Sequence, residues 1–142
     1  MNSTYILWPV LAQILLTIIM LIILGVRKAR AVKAGQVNRH QTALDNRVWP
    51  ENVRKVSNNI ANQFEVPVLF YVLCLVFYGI NAAGVTAMVL AWLFVLSRIA
   101  HAIVHIGSNH VPTRLRLFLL GCFVLIAMLL QVSWELSSGL TL

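Results

Sequence analysis

Charged side chains are scarce in this chain: they make up 11% of its 142 residues against 60% hydrophobic, and only four are acidic, Asp45, Glu51, Glu65 and Glu135. With a mean hydropathy of +0.84, that balance excludes a soluble domain of ordinary composition. Three runs contain no Asp, Glu, Lys or Arg at all: Tyr5 to Val26, Val66 to Ser97, and Leu117 to Gln131 with its extension to Trp134. A helix needs roughly 20 residues to cross the hydrocarbon of a bilayer, so these runs read as membrane spans and the middle one is long enough for two. Cysteine is nearly absent. Cys74 and Cys122 both fall inside apolar runs, where they read as small buried residues with no disulfide framework implied. The opening "MNST" has no basic segment and the apolar run behind it is too long for a signal peptide, so cleavage is not expected. There is no internal repeat and no low-complexity tract.

What is present organises itself around these runs. "YGINAAGVT" breaks the middle run with turn residues Gly79, Asn81 and Gly84. The result is an all-α fold, an integral membrane four-helix bundle in a single domain over 1–142, with spans near 5–27, 58–80, 84–106 and 113–136 and a connector over 28–57. Arg27 to Ala34 continues the first helix past the membrane, and "WPEN" at Trp49–Asn52 reads as a turn and helix restart. Eight of the eleven basic residues lie between Arg27 and Lys55, and Arg114 and Arg116 follow the third connection. The Asn81–Gly84 turn and both ends of the chain carry none. By the positive-inside bias the connector is cytoplasmic and both termini lie outside the cytoplasm, which accounts for most of the net charge of +7 without nucleic acid.

Polar residues inside the spans gather at the cytoplasmic level. Asn58, Asn62 and Glu65 open the second span at spacings of four and three, which puts them on one face of a continuous helix. Arg98, His101 and His105 repeat that pattern near the end of the third span. Arg114 opens the fourth, and Arg27 or Arg30 closes the first. A charge inside a span costs roughly 2.5–3.5 kcal/mol, so such residues face the bundle interior and pair there. Glu65 is the natural partner of Arg98 or Arg114, and a structural ion pair that sets helix register is one reading of the cluster. Several cations against one carboxylate favour another, an anion site. No metal site is expected: His101 and His105 stand four apart, but two imidazoles beside arginines, with no further ligand, do not make a set. His110 reads as a solvated loop residue.

"NQFEVPVLFY" (Asn62–Tyr71), with its Asn-x-x-Glu followed by Pro, and "RIAHAIVHIGSNHVPTR" (Arg98–Arg114), with its Arg-x-x-His, Gly and later Pro-x-Arg, resemble the motifs of the membrane-associated proteins in eicosanoid and glutathione metabolism, the MAPEG family. The likeness extends over nearly the whole chain. It implies a homotrimer that binds glutathione as co-substrate between neighbouring subunits at the cytoplasmic level. It further implies that Asn62 and Glu65 contact the glutathione backbone and amine, that Arg98 and His101 form the polar pair of the third span, that Arg114 lies near the thiol, and that Arg27 or Arg30 meets a carboxylate. Three positions depart from the family pattern: Asn58 stands where well-studied members carry a ligand-binding arginine, His105 where many have tyrosine, and Leu115 where prostaglandin E synthases have serine. Prostaglandin synthesis is therefore not expected.

Two functions follow from the resemblance and the charge cluster. One is a glutathione S-transferase or glutathione peroxidase acting on lipophilic small molecules that enter from the membrane lipid, with Arg114 as the catalytic cation and Asn62, Glu65, Arg98, His101, His105, Asn58 and Arg27 or Arg30 as candidate ligand-binding residues. The other is a non-catalytic multi-pass protein of the same fold that binds a lipid or another anion, or acts as a scaffold. A small transporter is disfavoured, since neither an inverted repeat nor a broken helix is visible in the sequence.

Overall fold

The computed structural model describes residues 2–42 and 45–139. A short 3-10 turn, Ser3–Ile6, leads into α1 (Leu7–Lys33), followed by a four-residue helix α2 (Arg39–Thr42) and a second 3-10 turn at Asn46–Val48. Then come α3 (Glu51–Gln63), α4 (Val66–Gly79), α5 (Val85–Ile106) and α6 (Val111–Gly139). Among the described residues four stretches are long and apolar enough to cross a membrane: Ser3–Lys33, Glu51–Gly79, Val85–Ile106 and Val111–Gly139. The charge-free runs thus become four spans.

The first helix continues to Lys33 because nothing in "RKARAVK" breaks it, and it ends where Gly35 takes a positive φ of 67°. The restart at "WPEN" is where the sequence suggests it: Pro50 precedes α3, and Trp49 packs with Ala31 and Val53 beneath the Lys28 ammonium, which lies 4.9 Å from the indole centroid. In the connector Asp45 Oδ1 accepts from the Arg47 backbone N–H at 2.8 Å and from its Nε at 3.1 Å, and these two bonds hold the Asp45 carboxyl below its usual range. The Gly79–Gly84 stretch is a turn, with Asn81 in the left-handed region at φ 55°.

The second span differs from the sequence expectation in two ways. It begins at Glu51 rather than near residue 58, and it is two helices, broken at Phe64–Glu65. The break has a local cause. Pro67 has no N–H for the Gln63 carbonyl and its ring would clash with that carbonyl in a continuous helix, so the chain leaves the helix before it and Pro67 falls in the first turn of α4. Glu65 accordingly sits at φ −95°, ψ −92°, and the Phe64 N–H turns back to the Ala61 carbonyl at 3.0 Å.

The half of the bundle near the chain ends is an apolar core, where Phe70 and Phe94 stack with centroids 4.5 Å apart among Phe77, Val95, Val124 and Met128. The outward faces are apolar too: Ile14, Ile18 and Ile22 on α1, and Leu69, Val72 and Leu75 on α4, are all exposed. A soluble protein does not present such faces over its whole girth, whereas lipid solvates them. The α5–α6 contact is the most extensive helix pairing, and it closes around Gly121, where an added Cβ would stand 3.3 Å from Ser97 Oγ and 3.6 Å from the Phe94 ring.

Candidate functional site

The polar residues fill the opposite half of the bundle, and their arrangement starts from the helix break. A helix end leaves its last carbonyls without intrahelical donors. The Asn62 carbonyl is one of these, and it accepts from Arg98 Nη2 at 3.2 Å. Arg98 is 0% exposed, so the break gives a fully buried guanidinium a backbone partner in place of a carboxylate. If Pro67 creates that partner, Pro67→Ala should let α3 run into α4 and withdraw the Asn62 carbonyl. Stranding Arg98 this way is expected to cost roughly 1–3 kcal/mol, read as a lower unfolding midpoint in detergent. An unchanged or raised midpoint would refute this account of the junction.

The Glu65 ion pair expected from the sequence does not form. Glu65 lies past the break, where its side chain is exposed, and among the described residues the ion pairs are Arg47–Asp45 and Lys55–Glu51. Among the described residues neither Arg98 nor Arg114 is matched by a carboxylate. Arg98 Nε, Arg98 Nη1 and Arg114 Nε are buried with no partner among the described residues, as is His101 Nε2.

Arg114 is held from two sides. After α5 ends, Asn109 adopts φ 55° and its Oδ1 accepts from Arg114 Nη1 at 2.6 Å. On the other side His101 Nδ1 lies 3.1 Å from the Arg114 backbone carbonyl. A carbonyl only accepts, so His101 carries its proton on Nδ1. Gly107 permits this sharp exit from α5, because a Cβ there would fall 2.9 Å from the Ile103 carbonyl oxygen. Asn62, His101, Arg114, Leu115 and Phe118 line a cavity of about 260 Å³. Arg114 and Asn62 are half-buried at it, while His101, 2% exposed, supports the cavity from beneath.

The remaining candidates are placed elsewhere. Asn58 is exposed, and its carbonyl accepts from Asn62 Nδ2 at 2.9 Å, which orients that amide. His105 is buried at the end of an amide chain that the sequence reading did not single out: Gln13 Nε2 donates to Gln63 Oε1 at 2.8 Å, Gln63 Nε2 to Asn59 Oδ1 at 3.3 Å, and Asn59 Nδ2 lies 3.4 Å from His105 Nδ1. The signal was available in Gln13, a lone amide in a charge-free run, and in Asn59 and Gln63, four apart on the face next to the one chosen. Asn109 could have been found only from its backbone conformation. His110, exposed and within 2.8 Å of Thr113 Oγ1, is the loop residue expected. Arg27 and Arg30 do not reach the Arg114 cavity within the protomer; they line a separate one.

The model of the MAPEG family matches residues 5–134, almost the full length of the chain. The chain belongs to the MAPEG family. Among curated proteins and solved structures, none matches it. A MAPEG protein is embedded in the membrane by helices, and the four spans make this one an integral multi-pass membrane protein. Between α4 and α6 this MAPEG protein also has an apolar groove of about 400 Å³ that runs from Val66 past Cys122 to Leu129.

Proposed function

We propose that this protein is a glutathione-dependent enzyme, a glutathione S-transferase or glutathione peroxidase, whose thiolate is stabilised by Arg114. The observation that carries the reading is the Arg114 guanidinium itself: it lies at a cavity, is matched by no carboxylate among the described residues, and is aimed by Asn109 Oδ1. Glutathione offers two carboxylates, an ammonium and a thiol. A cation beside the sulfur lowers the thiol pKa by favouring the charged form, and the thiolate is the nucleophile. In transfer, the thiol proton leaves to solvent, the sulfur lone pair forms the bond to an electrophilic carbon, and the leaving group departs with its electron pair. Glu65, exposed and free of an internal ion pair, suits the ammonium, and Asn62 suits the peptide backbone. Arg98 and His101 act from beneath, Arg98 by holding the Asn62 carbonyl and His101 by holding that of Arg114.

The assembly is a homotrimer, and the cavity faces a neighbouring subunit. Both termini lie outside the cytoplasm, which puts the cavity within reach of cytosolic glutathione. Cysteine substitution at Asn81, labelled from either side in sealed vesicles, reads this sidedness: labelling from the cytoplasmic side would reverse the topology. Native mass spectrometry in mild detergent is expected to give three protomers, and a stable monomer would remove the intersubunit site. The decisive experiment for function is initial rate against glutathione with an aromatic electrophile. A rate no higher than the uncatalysed background, together with binding that survives, would favour the non-catalytic reading.

A further inference from the structure

Three buried amides stand outside the proposed chemistry: Gln13 on α1, and Asn59 and Gln63 on α3. An amide inside a membrane bundle is costly unless it is hydrogen-bonded, and these three avoid the cost by bonding in series. Gln13 Nε2 donates to Gln63 Oε1 at 2.8 Å and Gln63 Nε2 to Asn59 Oδ1 at 3.3 Å. Every link has the same sense, the nitrogen of one amide donating to the oxygen of the next. At one end Gln13 Oε1 is buried with no partner among the described residues, and at the other Asn59 Nδ2 is spent on His105 Nδ1 at 3.4 Å. An amide nitrogen only donates, so His105 Nδ1 accepts and the ring proton sits on Nε2. A His105 with a proton on Nδ1 would set one N–H against another, so the chain admits a single tautomer of the neutral ring.

His105 hands this constraint along α5. Its ring meets that of His101, one turn away, at 89° with centroids 5.5 Å apart, the edge-to-face arrangement that aromatic rings favour. Phe118 of α6, on the wall of the Arg114 cavity, lies 6.4 Å from the same His101 ring. His101 in turn donates from Nδ1 to the Arg114 carbonyl at 3.1 Å. Amides that only joined helices would have no need to end on an imidazole, nor to present it with a donor. We infer that Gln13, Gln63 and Asn59 are positioning residues for the Arg114 cavity: they fix the tautomer and tilt of His105, which sets the His101 ring and, through it, the turn of α6 that carries Arg114. The effect on rate rests on the glutathione-dependent reading, whereas the effect on the two imidazoles does not.

The test follows the imidazoles and the rate together, in the full-length protein in detergent. The chain has four histidines, so the nitrogen-15 signals of their rings can be assigned by replacing His101 and His105 singly with glutamine. Wild type is expected to carry the His105 proton on Nε2 and the His101 proton on Nδ1. Asn59→Leu removes the donor and should release His105 into a mixture of tautomers and shift the His101 signal. It should also lower kcat for glutathione conjugation about tenfold with KM little changed, less than the roughly hundredfold loss from a reacting group misplaced by about 1 Å. Asn59→Asp keeps the shape and the acceptor for Gln63 Nε2 but offers His105 an oxygen, so it should draw a proton onto His105 Nδ1; this variant answers the question if Asn59→Leu does not fold. The inference is overturned if wild-type His105 carries its proton on Nδ1, if His101 keeps its signal in the folded Asn59 variants, or if Asn59→Leu lowers the unfolding midpoint alone, as amides that merely join helices would. A wild type without turnover overturns the glutathione reading instead; the ring signals then decide this inference by themselves, a shifted His101 in Asn59→Asp supporting it and an unshifted one refuting it.

Discussion

Arg114→Ala should lower kcat for glutathione conjugation by about a hundredfold or more, the loss typical of removing one fixed charge or donor from a developing anion. The apparent affinity for glutathione should change far less, because the guanidinium acts on the sulfur chiefly as the thiolate forms and attacks. Arg114→Lys should recover part of the rate, since it restores the charge but not the planar fork that reaches Asn109 Oδ1. Asn109→Ala separates positioning from charge: it leaves the guanidinium but removes the 2.6 Å acceptor that aims it, and is expected to fall between the lysine and alanine variants. The measurement is initial rate against glutathione concentration at a fixed electrophile, with the unfolding midpoint of each variant recorded beside it. Full activity in a folded Arg114→Ala protein would remove Arg114 from the chemistry. Glu65→Ala should behave differently, raising the glutathione concentration needed while leaving stability unchanged, because Glu65 lies exposed beyond the break and holds no internal ion pair.

Gly121→Leu should be the most damaging single change to the bundle itself. A Cβ at this position already stands 3.3 Å from Ser97 Oγ, and that hydroxyl is committed to the Phe94 carbonyl at 2.7 Å. The further carbons of leucine would meet the Phe94 ring, which cannot withdraw because it stacks on Phe70 at 4.5 Å. Overpacking of this kind costs roughly 1–3 kcal/mol. The energy understates the functional effect: the strain is relieved by parting α5 from α6, the two helices that carry His101 and Arg114, and their 3.1 Å contact would open. Loss of activity should therefore accompany a lower unfolding midpoint. Gly121→Ala asks Ser97 to move only a few tenths of an ångström and should keep most of both. A Gly121→Leu protein with wild-type stability would show that the helices do not depend on this close approach.

The membrane class, the four spans and the level at which polar groups gather were legible in the sequence because each rests on composition along one helix. An uncharged run of sufficient length has few alternatives to a span. The turn at Asn81 and the restart at Pro50 were legible for a related reason, since their backbone chemistry is local. Even Pro67 was in plain view, although its consequence was not: a reading by periodicity assumes that a helix continues, and so placed Glu65 on the face of Asn58 and Asn62. Once the helix breaks, that face ends at Asn62.

Only the tertiary structure decided who partners whom. Charge counting paired Glu65 with an arginine, because opposite charges at one depth attract; instead Arg98 reaches, through Nη2 alone, a backbone carbonyl that the break leaves free. The chain from Gln13 through Gln63 and Asn59 to His105 joins residues up to 92 positions apart on three helices, and no single-helix pattern announces such a set. The separation of Arg27 and Arg30 from Arg114 depends likewise on which helices stand side by side. Depth along a span is a property of one helix and can be counted from its residues, whereas the partner of a buried polar group is set by the azimuth of several helices packed together, which composition does not encode.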